Sequence, residues 1–131
     1  MNTIRLWVPV LPDPDLSSNK RRTRAWQAQA RDTATERERA YAMLREATLW
    51  EPWDIFPIPA ALHWTIHWPK GTRARDADSL ASMLKSWQDA MVDLGWLQND
   101  SPKYVPTVSY TSVPSSPRGP GMELEIKSTN L

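Results

Sequence analysis

The chain contains no cysteine and only 4 glycines in 131 residues. Without cysteine there is no disulfide, no thiolate metal site and no cysteine nucleophile, and the redox compartment is left open. No apolar run approaches the roughly 20 residues of a membrane span. The opening "MNTIRLWVPVLPDPD" lacks a charged leader followed by a long apolar core, so a soluble, cytoplasmic protein with no membrane partner is expected. Charge of one sign is also missing: the net charge is +1, where nucleic-acid binders are usually more basic overall.

What is present is ordinary in bulk and unusual in detail. Apolar residues make up 40% and charged residues 24%, as in a soluble globular protein, and the length suits one domain over residues 1–131. The 12 prolines point to short elements and stiff connections, and the 8 tryptophans to a core or an interface rich in indole. Basic residues are clustered: Lys20, Arg21, Arg22, Arg24 and Arg31 occur without an intervening acid, and Lys70, Arg73 and Arg75 precede Asp76. Each cluster can meet phosphates or simply be solvated.

"TIRLWVPVLP" alternates apolar residues and predicts a strand stopped by Pro12 and Pro14. Ser17, Ser18 and Asn19 then offer caps for a long helix between Lys20 and Trp50, with Trp26, Ala30, Ala34, Tyr41, Leu44 and Thr48 as its buried stripe. After the proline-bounded connection "EPWDIFPIP", the segment "AALHWTIHW" predicts a strand with Leu62, Trp64, Ile66 and Trp68 on one face. Its two histidines, His63 and His67, are about 13 Å apart on a strand and cannot share one ion. A helix is expected from about Ser79 to Leu94, ended by Gly95, then an edge strand in "YVPTVSYTSV", a turn in "PSSPRGPG", and a last strand "MELEIKS" with Met122, Leu124 and Ile126 inward. The order β, α, β, α, β, β predicts an α/β (α+β) domain in which two helices pack on a small mixed sheet of about four strands.

The stretch "RARDADSLASMLKSWQDAMVDLGWLQND" holds five aspartates and one lysine. With Asp78 at the helix start, Ser82, Lys85, Asp89 and Asp93 share its face, opposite Leu80, Met83, Leu84, Trp87, Met91 and Leu94. Asp89 and Asp93 read as an ordinary solvated face. Asp76 and Asp78 lie where a basic loop meets a helix start, where one carboxylate suffices as a cap. In extended backbone both would project to one side and converge on a hard cation such as Mg²⁺, with Asp100 joining if its loop folds back. Basic residues beside such acids suit phosphodiester hydrolysis, with a lysine stabilising charge in the transition state.

The same stretch resembles the RusA-like Holliday-junction resolvases, a family of small phage and prophage endonucleases. The likeness lies in two aspartates separated by one residue, a lysine and an aspartate on the following helix, a glycine and a closing acidic residue, and in "LPDPDLSSNKRRTRAWQAQAR", similar to the family's proline-rich segment leading into a basic helix. The resemblance implies a RusA-like fold and a homodimer that binds four-way DNA junctions in the host cytoplasm and nicks two strands symmetrically with Mg²⁺ or Mn²⁺. It implies Asp76, Asp78 and Asp100 as catalytic metal ligands, Lys85 as the nearest candidate for the catalytic lysine, and Lys20, Arg21, Arg22, Arg24, Lys70, Arg73 and Arg75 as DNA contacts. Three positions depart from the pattern: Ser79 stands for the usual Asn, Asn99 for the first closing aspartate, and Ser82 where many members place the lysine. Those departures keep open a branched-DNA binder without catalysis, and, more blandly, an interaction domain whose acids are surface.

Overall fold

The computed structural model describes residues 3–17, 25–48 and 59–128. The elements are β1 (Thr3–Val8), a 3-10 turn (Pro14–Leu16), α1 (Trp26–Thr48), β2 (Ala60–His67), α2 (Ala77–Asp93), β3 (Val108–Val113) and β4 (Gly121–Ser128). This is the expected order and an α+β fold. Ser18 and Asn19, the basic residues Lys20, Arg21, Arg22 and Arg24, and positions 51–58 of the proline-bounded connection lie outside the described residues.

The sheet order is β1-β4-β2-β3. β4 pairs antiparallel with both β1 and β2, setting Leu124 opposite Leu6 and Trp64. β3 is an edge strand parallel to β2, reached through α2, the kind of crossover that a parallel pair requires. β1 stops at Val8, earlier than expected, because Pro9 already lacks the N–H that would continue the ladder. β3 begins only after Pro106 for the same reason.

One parity of each strand forms the core. Leu6, Val8, Leu62, Trp64, Ile66, Met122 and Leu124 are buried, and against them pack Leu80, Met83, Leu84, Trp87 and Met91 of α2. Trp64 and Trp87 meet edge to face, with centroids 6.2 Å apart, a favoured aromatic geometry. The other parity makes a polar sheet face. There Arg5 pairs with Glu125, and His63 bonds the hydroxyls of Ser109 and Thr111.

α1 corrects the expected stripe. Trp26 is 73% exposed, and Ala30, Ala34 and Tyr41 also face outward; among the described side chains of the stripe only Leu44 is buried. The inward side is instead marked by Glu36, Ala40 and Leu44. Stepping about 100° per residue, the centre of the Trp26–Tyr41 stripe lies roughly 80° from the centre of that side. The alanines made it look like a core face, although a methyl group gains little from burial on either side. Glu36 has a reason to be inside: its Oε2 accepts from the Asp13 backbone N–H at 2.7 Å and from Trp87 Nε1 at 2.9 Å, and its Oε1 accepts from Arg39 at 2.6 Å.

At the end of β2, His67 is buried by the 114–120 loop, and its Nδ1 is 2.7 Å from Ser116 Oγ. Burial pushes its pKa below the ordinary 6.5, and the Arg118 cation adds to this against the opposing charge of Glu123. The unfolded chain therefore binds this proton more readily. Stability is expected to fall as pH drops through 6.5 toward the lower folded value, and to be flat with respect to His67 above 6.5. Urea midpoints at pH 5 and pH 7 check this; His67→Asn, which retains a polar atom near Nδ1, should flatten the slope.

Candidate active site

The site is built where β2 leaves the sheet. After Trp68 the chain turns, with Thr72 N–H donating to the Pro69 carbonyl at 3.1 Å and Gly71 at φ +88°, a conformation that suits glycine. The turn projects Lys70 and Arg73 into solvent and leaves Arg75 half-buried. These are the described members of the expected DNA-contacting set.

Asp76, rather than Asp78, is the cap of α2. Its backbone is extended, and its Oδ1 accepts from the Ser79 backbone N–H at 3.0 Å. That bond, aided by the Ser79 hydroxyl and Arg73, holds the carboxyl below its ordinary pKa. Because the helix begins at Ala77, two residues before the expected start, Asp78 sits in the first turn, where negative charge is favoured by the helix dipole. The extended alternation expected to aim Asp76 and Asp78 the same way therefore ends at Asp76. Both carboxylates are exposed.

The far end of α2 closes as expected at glycine. Gly95 has φ +82° and donates to Val92 O at 3.0 Å, and Trp96 N–H donates to Met91 O at 2.9 Å, the paired bonds of a Schellman cap. This turn sends the loop back along the helix and brings Asp100 to Lys85. Lys85 Nζ donates to Asp100 Oδ2 and also to Asp89 Oδ1 at 3.0 Å. Burial pulls the Lys85 pKa down, but the bonds to Asp100 and Asp89 outweigh it and the net shift is upward. The same Lys85 bond holds Asp100 below its ordinary value. Asp89 lies one turn beyond Lys85, so the lysine leans toward the C-terminus of α2, away from Asp78.

Asp89 and Asp93 are thus more than a solvated face. Asp93 takes two bonds of 2.6 Å from Arg37 and ties α2 to α1. The departures from the family pattern also have local roles. Ser82 Oγ donates to Leu16 O at 2.5 Å, Ser79 is buried under the cap, and Asn99 Oδ1 accepts from Ser101 N–H at 2.8 Å. Sequence reasoning missed Arg37, Ser82 and Asn99 as organisers of this region. The i+2 spacing from Asn99 to Ser101 was the one readable signal, as an Asx turn.

The fit to a divalent cation is therefore partial. Asp76 and Asp78 offer exposed hard oxygen donors, the one or two carboxylates from which a Mg²⁺ site is usually built. Asp100 is drawn to Lys85, and among the described residues no three acidic or histidine side chains converge as a metal-binding group. Among the described residues, cavities of about 500 and 470 Å³ lie elsewhere, beside α1 and beside the Pro9–Pro14 segment. Among the described residues no helix is long and apolar enough to cross a membrane. No protein-family model matches the chain, and no curated protein matches it.

Proposed function

We propose that the chain is a metal-dependent, structure-specific DNA endonuclease that nicks four-way junctions as a homodimer, the activity its sequence resemblance to the RusA-like resolvases implies. The observation that carries this reading is one short connection in which Lys70, Arg73 and Arg75 run directly into the exposed Asp76 and Asp78 at the start of α2. The basic side chains would hold phosphodiester oxygens beside the two carboxylates, and the helix N-terminus favours the anionic backbone. Asp76 and Asp78 are the residues that would hold Mg²⁺ or Mn²⁺. Such an ion, when bound, polarises a phosphoryl oxygen and acidifies water. Lys85 offers a cation for the developing charge once it is released from Asp100 and Asp89.

A second reading, branched-DNA binding without catalysis, is favoured by the Lys85–Asp100 pair, which occupies two of the four candidate catalytic groups with each other. One experiment separates the two. Wild type incubated with a synthetic four-way junction and Mg²⁺ or Mn²⁺ should nick it, and Asp78→Asn should lower the rate on the order of 10²-fold while leaving salt-dependent binding in place. Junction binding without any metal-dependent nicking by wild type would sink the nuclease and leave the binder.

A further inference from the structure

We infer that the outward stripe of α1 is the surface through which two copies of the chain pair. The only exposed large apolar side chains among the described residues, Trp26 at 73% and Tyr41 at 37%, both lie on it. At about 100° per residue, Trp26, Ala30, Ala34, Arg37 and Tyr41 fall within roughly 80° of one another, a continuous strip along the helix. Beside it opens a groove of about 500 Å³ lined by Ala34, Arg37, Glu38, Tyr41 and Asp93.

The surface is complementary to itself. A two-fold axis makes each patch meet its own copy, so a knob and a hole on one helix are mutually satisfied if they lie on opposite sides of the axis. Trp26 is about 12 Å from Ala34 along the helix, and Tyr41 about 10 Å away on the other side, at roughly 1.5 Å per residue. An antiparallel crossing near Ala34 therefore sets each exposed indole against the groove at the partner's Tyr41. Small side chains at Ala30 and Ala34 let the helices approach closely. The groove also supplies a cationic wall, because Arg37 is held by two bonds to Asp93 and can take an indole on its guanidinium. Charge agrees with this arrangement: Arg31 and Glu38 lie on one flank, roughly 120–140° around the helix from Trp26, so the crossing places Arg31 near the partner's Glu38 twice over.

This surface deepens the proposed reading and rests on it only for the existence of a homodimer, since the pairing face is argued from the exposed stripe alone. Its test therefore uses no DNA. Sedimentation of the full chain at micromolar concentration should give twice the monomer mass. Trp26→Glu, which places an acid in the first turn of α1 where the helix favours it, and Ala34→Glu should each weaken the dimer about 30-fold or more. Because the chain has no cysteine, single-cysteine variants report geometry cleanly. Ala34→Cys should form a disulfide-linked dimer under mild oxidation, and Thr111→Cys on the open sheet face should not. A monomeric wild type, a dimer whose affinity is unchanged in both glutamate variants, or equal cross-linking at the two cysteine positions would overturn the inference.

Discussion

Glu36→Ala is expected to destabilise the fold by about 3 to 4 kcal/mol, read as a lowered urea midpoint with an unchanged slope. The size follows from what the carboxylate holds. Its removal strands the half-buried Asp13 N–H and the indole N–H of the fully buried Trp87; a fully buried unsatisfied donor costs about 1 to 3 kcal/mol, and a half-buried one less. It also strips Arg39 of its carboxylate partner, but that side chain keeps its bond to the Leu11 carbonyl, is 37% exposed and recovers much of its solvation. Glu36→Gln keeps an oxygen for the two N–H donors and turns an amide toward Arg39, so about half the loss is expected. For a chain of 131 residues, total stability is on the order of 7 to 20 kcal/mol, so the alanine variant should remain folded and measurable. Equal stability of Glu36→Ala and wild type would show that the carboxylate is dispensable.

Gly119→Ala should cost about 3 kcal/mol, through collision rather than lost bonding. A methyl group there would stand 2.6 Å from the His67 carbonyl oxygen, 2.7 Å from Pro69 N and 2.9 Å from the Trp68 carbonyl carbon. All three are backbone atoms, and they cannot swing aside. Gly121→Ala would be milder, although its nearest contact, 2.1 Å, is shorter, because the atoms met belong to the Trp7 ring on the open face. Thermal melts of the two variants should rank Gly119→Ala well below Gly121→Ala, and the reverse order would refute the backbone argument. The location gives this collision reach: His67, Trp68 and Pro69 are the root from which the basic connection to Asp76 grows. If that connection is the DNA-contacting element, the Gly119 variant should also weaken junction binding.

Local patterns were legible where one periodicity met one buried side. The alternation of Leu62, Trp64 and Ile66 placed β2, and the apolar face of α2 from Leu80 to Met91 was readable in full. On α1 the pattern misled, because alanine spacing marks a face without saying whether sheet or solvent meets it. The inward side was chosen by Glu36, whose partners lie 23 and 51 residues away and leave no trace in local spacing. In the candidate site, the acids and the basic lead-in were visible as residue types. Which aspartate caps the helix depended on where α2 begins, and the Lys85–Asp100 contact depended on the loop after Gly95 folding back. Neither follows from spacing alone.

The position of β4 in the sheet has a consequence for how the chain is made. Among the described residues β4 is the last strand in order, and it lies between β1 and β2. During synthesis, the first strand and the β2–α2–β3 unit emerge with no ladder to join them. Leu6 then stays without its cross-strand neighbour, and Leu62 and Trp64 without theirs on the β4 side, until Leu124 and Ile126 have been added. The four-stranded sheet is therefore completed only once β4 has emerged to join β1 to the β2–β3 pair, and a nascent chain stalled before Gly121 should be far more open to protease than the released protein.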